Sequence, residues 1–362
     1  MSLTLKKLRL RNFRNYKALD IDFSAHANIF LGDNGTGKTN LLEAIYLLST
    51  GKSFRTPHLE HLILENESFF HIEAWVEKES VDHVIKVYFD ASKKAVQINH
   101  SSHPSFSVLI GLLPTVLYSP NETDSLVKLP SARRRLINIL LSQFDPLYVF
   151  HLTRYDKSLK QRNKLLKLKD TKTILAWEKQ MSASASYLVN KRETILQQLN
   201  AHLPFYIKTL SPQEDILSLD YDRTPNAKEY DLIAYLSKHR QKELSYGYTL
   251  YGPHRDDLKI MLNQKDIKQH ASEGQKQSIF LALKLAEYKQ LKEQIGSSVL
   301  LAVDDFGSHL DQKRKDLLKN QINNLEQTFV TSPDMAENWD KYFSKGKLFF
   351  LEKGNMIKSK LL

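Results

Sequence analysis

With 362 residues and no cysteine, the chain excludes disulfides, thiol catalysis and Cys-ligated zinc, and it is long enough for two domains and a sizeable core. Its 41% hydrophobic and 26% charged residues are an ordinary soluble composition, no apolar run reaches the 18 residues of a membrane span, and a cytosolic location is expected. The net charge of +11 is concentrated: residues 128–172 hold twelve Lys or Arg against three Asp, and such a block inside a folded domain attracts a polyanion, most commonly nucleic acid.

In chain order, Leu3, Leu5, Leu8 and Leu10 predict a first strand, and Leu19, Ile21 and Phe23 a second. The apolar run ending at Leu31 leads into Gly32-Asp-Asn-Gly-Thr-Gly-Lys-Thr39, which fits the G-x-x-x-x-G-K-[ST] template. Glycines at this spacing let backbone N–H groups turn inward around phosphate, and the helix that follows aims its positive end at the same point. Gly32, Asp33, Asn34, Gly35, Thr36, Gly37, Lys38 and Thr39 are thus the expected nucleotide site, with Lys38 on the β and γ phosphates and Thr39 on Mg²⁺. Leu41, Leu42, Ile45, Tyr46 and Leu48 recur at helical spacing up to Gly51. Period two over residues 70–98 predicts an antiparallel meander with turns near Glu79 and Ser92, and residues 114–130 read as a proline-punctuated connection. Long helical patterns then run from Ser131 to about Asn200. Their basic positions Arg133, Arg134, Arg135, Arg154, Lys157, Lys160, Arg162 and Lys164 are the expected nucleic-acid contacts. Residues 201–244 give mixed signals.

Two later stretches complete the nucleotide site. Residues 299–303 form a continuous apolar run, as in a strand buried on both faces, and end in Asp304-Asp305. Asp304 is expected to hold Mg²⁺ through water, and Asp305 to accept the proton of the attacking water. Upstream, Ser272, Gly274 and Gln275 open a helical segment whose free N–H groups offer a second phosphate contact. One chain needs only one phosphate loop, so this helix start is expected to serve a neighbouring subunit's nucleotide across a homodimer, with Asp311 at the same interface.

This order of motifs resembles the ABC-type ATPase heads of the SMC class, and within it the RecF family. The matching stretches are Leu10-Arg-Asn-Phe-Arg-Asn-Tyr16, the phosphate loop, Gly51-Lys-Ser-Phe-Arg-Thr56, Arg133-Arg-Arg135, Gln161-Arg-Asn163, Gly252-Pro-His-Arg-Asp-Asp-Leu258 and the acidic pair. The resemblance implies an α/β fold, an ABC/SMC-type P-loop ATPase head with mixed β-sheets over residues 1–118 and 246–362, and a mostly helical basic lobe over 119–245. It further implies ATP and Mg²⁺ as cofactors, ATP-driven dimerisation on DNA, and action with RecO and RecR to place RecA on gapped DNA coated by single-strand-binding protein. Glu273, Gln277 and Asn121 depart from the family pattern, as does the lack of a histidine after the strand at 327–330, and these departures point to slow hydrolysis. The alternative from another class is an ATP-driven motor or a transporter's ATPase subunit.

Overall fold

A computed structural model describes residues 2–211, 214–225, 231–307, 312–323, 325–335, 339 and 343–362, and within these it leaves aside the side chains of residues 121, 313 and 314. The described chain divides into two compact units: Met1–Asp124 with Phe205–Glu214 and Ser272–Leu362, and Ser125–Pro204 with Asp215–Ala271. Among the described residues, no helix is long and apolar enough to cross a membrane.

The first unit holds two six-stranded sheets. In the antiparallel one, Leu3–Phe13 pairs with Tyr16–Asp22 on one side and Phe69–Lys78 on the other, and Val81–Asp90, Lys94–Ile98 and Ser101–His103 follow as a meander. Leu8, Leu10, Ile72 and Val87 alternate into the core, as period two requires, while Lys7, Arg9 and Lys86 face outward. The expected turn at Glu79 is a tight hairpin in which Glu79 and Ser80 both take positive φ.

The second sheet runs in the order Asn355–Leu361, Gly346–Glu352, Ala27–Leu31, Thr328–Ser332, Leu300–Val303, Thr115–Tyr118. All neighbours are parallel except the first two, which form a hairpin. Every residue of Ala27–Leu31, Leu300–Val303, Thr328–Ser332 and Thr115–Tyr118 is buried, which suits strands that are mostly apolar and show no alternation. The register sets Leu31 against Ser332, and Val303 against both Val330 and Tyr118, so these strands end together. In open α/β sheets, ligands gather beyond such carboxyl ends.

Two sequence readings change here. Residues 114–130 are not a bare connection: Thr115–Tyr118 is the edge strand of the parallel sheet, and Pro120–Lys128 is a helix. Its four-residue length hid it, since a short apolar run carries no period. The lobe also differs from the expected 119–245. Asp257–Leu262 pairs antiparallel with Leu217–Asp222, and this ladder draws residues 246–271 into the second unit. The rest of that unit is mostly helical: Pro130–Ser142, Pro146–Leu168, Ile174–Leu210 as far as Pro204, and Leu232–Tyr246.

Candidate nucleotide and nucleic-acid sites

Residues 32–37 turn between the buried strand Ala27–Leu31 and the helix Lys38–Thr50. Glycine is required at two points. A Cβ on Gly32 would collide with the backbone oxygen of Leu351 in the adjacent strand, and one on Gly37, at φ 111°, would sit 2.7–2.8 Å from the Asn15 amide and the Tyr16 hydroxyl. Those two residues also fix the loop. Tyr16 donates to Gly37 O at 2.9 Å, and Asn15 Nδ2 to Thr36 O at 3.2 Å, where Gly354 N also donates at 3.0 Å. Lys38 Nζ donates to the carbonyl oxygens of Gly32 at 2.5 Å and Asp33 at 2.7 Å. Burial pushes this ammonium's pKa down, against the charges of Asp305, Asp33 and Asp304. Asp33, Asn34 and Gly35 are exposed at the tip.

The stretches 10–16 and 51–56 converge beneath this loop. Arg14 grips the wholly buried Glu43 through two 2.7 Å bonds, Ser53 donates to Glu43 at 2.5 Å, and Arg55 donates to Asn40 at 2.7 Å. Asn40 in turn donates to Asn15 at 2.8 Å. Bidentate and charge-assisted bonds hold geometry well, so the first helix and the loop are braced from both flanking segments.

At the strand ends, Thr39 Oγ1 donates to Asp304 Oδ1 at 2.8 Å. Thr331 Oγ1 donates to the same carboxylate oxygen at 2.9 Å and accepts the backbone N–H of Asp305 at 2.7 Å. Ser119 Oγ lies 3.5 Å from Asp304 Oδ2. Burial raises the Asp304 pKa, the Thr39 and Thr331 hydrogen bonds oppose that, and the Asp305 charge adds to it. Asp305 has φ 51°, which turns it out of the strand direction. Thr331 and Ser119 escaped the sequence reading. Thr331 follows the run at 327–330, where a histidine is lacking, and the polar pair Thr331-Ser332 at the end of a buried parallel strand was the available signal.

Ser272 caps the helix Glu273–Ile295 in a reciprocal capping box: Gln275 N donates to Ser272 Oγ at 3.3 Å, and Ser272 N to Gln275 Oε1 at 3.0 Å. Ser272 is exposed, and Gly274 and Gln275 are half-buried. Gln277 is buried and accepts from Tyr118 at 2.9 Å, so its place in the sequence changes internal packing and not the outward charge. Asp311, with residues 308–310, lies outside the described residues.

The basic lobe divides its arginines. Arg133 is buried, bonded twice to Asp257 at 2.9 and 2.7 Å and to the carbonyls of Leu126 and Val127. Arg162 is wholly buried and donates to Glu178 at 2.9 Å, Glu243 at 2.6 Å and Thr249 at 2.8 Å. Neither is a DNA contact. Their compensating carboxylates come from distant segments, which a local charge count omits. Arg134 is half-buried on Asp256 O at 2.6 Å, whereas Arg135 is exposed. Arg154, Lys157, Lys160 and Lys164 are exposed along Pro146–Leu168, at a spacing that keeps them on one side of the helix.

A family model described as an AAA domain matches residues 7–330. The DNA replication and repair protein RecF of Protochlamydia amoebophila (strain UWE25) is 38% identical over 339 residues, covering 92% of this chain and 94% of that protein. Its namesake from Natranaerobius thermophilus is 33% identical over 379 residues, 98% of each. A solved structure of the recombination mediator protein RecF with ATP, in the RecFOR pathway, matches with a TM-score of 0.89 at 28% identity, over 100% of this chain and 98% of that one. The Smc head domain from Pyrococcus furiosus, with a TM-score of 0.56 at 16% identity over 99% and 96% of the two chains, shares the fold alone. The ABC/SMC-type ATPase head expected from the motifs is therefore the fold observed, and the chain belongs to the RecF family of DNA replication and repair proteins.

Proposed function

We propose that this protein is an ATP-dependent DNA-binding switch of recombinational repair and replication restart, in which ATP closes a homodimer on DNA at gaps and slow hydrolysis releases it. The observation that carries this reading is the joining of Thr39, Asp304, Asp305 and Thr331 beside the phosphate loop. Two hard oxygens, the Thr39 hydroxyl and the Asp304 carboxylate, lie 2.8 Å apart and fit the donor set that Mg²⁺ takes beside nucleotide phosphates. Mg²⁺ held there would neutralise charge on the β and γ phosphate oxygens. Lys38, whose donors rest on loop carbonyls, exchanges them for phosphate oxygens. Asp305 holds the proton taken from water, and Thr331 keeps both carboxylates in register.

The exposed Ser272 turn suits a nucleotide held by a second copy, which makes ATP the agent of dimerisation. The solved relatives named for the RecFOR pathway support RecO and RecR as partners; with them the protein would help deliver RecA to strands coated by single-strand-binding protein. The first compact unit acts as the ATPase head and the second as the DNA lobe, in the cytoplasm. Binding of ATP, partner copy and DNA is then linked, each raising affinity for the others.

The test is light scattering with and without ATP·Mg²⁺ on wild type and Ser272→Arg. A mass that doubles with ATP in wild type alone supports the switch, and a mass that ignores nucleotide removes it. Turnover well above about one per second, stimulated by DNA, would favour a motor instead.

A further inference from the structure

Arg162, set aside above as a DNA contact, has a purpose that starts from what it holds. With Asn163 it grips Thr249: Thr249 N and Oγ1 both donate to Asn163 Oδ1, at 2.8 and 2.7 Å, and Arg162 donates to Thr249 Oγ1 at 2.8 Å. Glu243, which accepts from Arg162, also accepts from Leu250 N at 2.7 Å. From the other side His254 and Arg255 reach Thr249 O, at 3.1 and 3.4 Å, and Tyr155 meets His254 Nδ1 at 2.7 Å. Two separated motifs, at 161–163 and 252–258, thus converge on one short segment and immobilise it.

That segment presents aromatic rings to solvent. Leu232–Tyr246 ends at Gly247, whose φ of 75° forms a left-handed cap, and Tyr246 and Tyr248 flank it with 55% and 41% of their surfaces exposed. Their ring centroids are 5.9 Å apart, and the Arg255 guanidinium lies 5.3 Å over the Tyr248 ring. A Cβ on Gly247 would be 3.5 Å from Lys167 Cγ, so the pair adjoins the C-terminal end of the helix that carries the exposed basic row. From Arg154 to Lys167 that helix climbs about 20 Å, room for the backbone of several nucleotides.

Large exposed rings held rigidly beside cations are the means by which proteins stack unpaired bases without reading sequence. A duplex keeps its bases inside the stack and could use only the cations. We infer that Tyr246 and Tyr248, with Arg255 and Lys167, form a stacking platform for unpaired bases of single-stranded DNA, which the Arg154–Lys164 row approaches along the phosphate backbone. The inference rests on the DNA-binding reading above and gives it a strand preference. Arg162 is then a positioning residue for this loop.

The experiment is fluorescence anisotropy with ATP·Mg²⁺ present, using a labelled single strand, an abasic strand of equal length and charge, and a duplex. Wild type is expected to bind the base-bearing strand about tenfold more tightly than the abasic one. The gap should close in Tyr246→Ala/Tyr248→Ala and persist in Tyr246→Phe/Tyr248→Phe, which keeps the rings. The abasic comparison needs no variant, so it stands even if the alanine protein folds poorly. Equal wild-type binding of both strands, or a gap that survives the alanine pair, overturns the platform while duplex binding keeps the broader reading. Absence of salt-sensitive binding to all three removes the DNA reading and the platform together.

Discussion

Thr39 and Asp304 stand 265 residues apart in sequence and share a 2.8 Å hydrogen bond. The bond joins the end of the phosphate loop to the end of the parallel strand Leu300–Val303, two places away in the sheet from the strand that leads into the loop. It makes the acidic pair part of the loop's own geometry, and each substitution around it has a distinct expected effect.

Thr331→Val removes the hydroxyl that binds Asp304 and receives Asp305 N–H. Hydrolysis should fall roughly 10- to 100-fold, the scale of losing positioned hydrogen bonds in a reacting site, with ATP affinity within about twofold. Thr331→Ser should restore the rate. A valine variant with normal kcat would end the positioning role.

Lys38→Ala should abolish ATP binding in calorimetry and with it the ATP-dependent dimer. The ammonium's two present partners are carbonyl oxygens of the loop itself, Gly32 buried and Asp33 at the exposed tip, and burial already disfavours its charge, so thermal stability should change little. Asp305→Asn should behave oppositely, keeping ATP and accumulating dimer, because only the proton acceptor is lost. Faster dimer dissociation in that variant would contradict the assignment.

The two kinds of lobe cation should separate cleanly. Replacing Arg154, Lys157, Lys160 and Lys164 by alanine should lower the slope of log K against log salt by about 3, as four phosphate contacts would. Arg162→Ala should instead cost about 3–5 kcal/mol of stability, because the wholly buried Glu243 loses its ion-pair partner and Glu178 keeps only Arg240. Denaturant unfolding measures the second effect, and an unchanged midpoint would be incompatible with the buried cluster.

Burial pushes the His254 imidazole down to about 4 from 6.5, against the Thr249 carbonyl and with the charges of Arg255, Arg134 and Arg162. Between those values the unfolded chain binds the proton and the native one does not, so stability rises with pH through this window. The contribution is complete above about pH 6.5 and is lost on acidification toward pH 4, up to about 3 kcal/mol. The check is the difference in pH dependence between wild type and His254→Phe, since buried Asp256, Glu287 and Asp304 have raised pKa values and slope the other way. Parallel curves would show that His254 does not titrate differently on folding.

What the sequence disclosed was the part of the site written in contiguous residues. The loop at 32–39, the apolar run before Asp304 and the Ser272 cap depend on neighbours within a few positions, and all lie where their spacing suggested. Long-range compensation was hidden. Arg133 meets Asp257 across 124 residues and Arg162 meets Glu243 across 81, so a run of basic residues read as a DNA surface contains two internal ion pairs. Consecutive helical residues also point about 100° apart, so Arg133, Arg134 and Arg135 could not share one surface. Thr331 was illegible for another reason: its importance comes from lying beside Asp304 in the next strand, a relation that only sheet order creates.

That sheet order has a consequence for how the molecule is made. The strand Ala27–Leu31 lies between Gly346–Glu352 and Thr328–Ser332, both supplied by the far end of the chain. At typical synthesis rates of about 5–20 residues per second, the 265 residues between Thr39 and Asp304 take roughly 10–50 s to translate. Throughout that interval the phosphate loop emerges from the ribosome before the strands that flank it, while the whole second unit is completed ahead of them. The nascent chain therefore completes its second compact unit before the strands that enclose the phosphate loop exist.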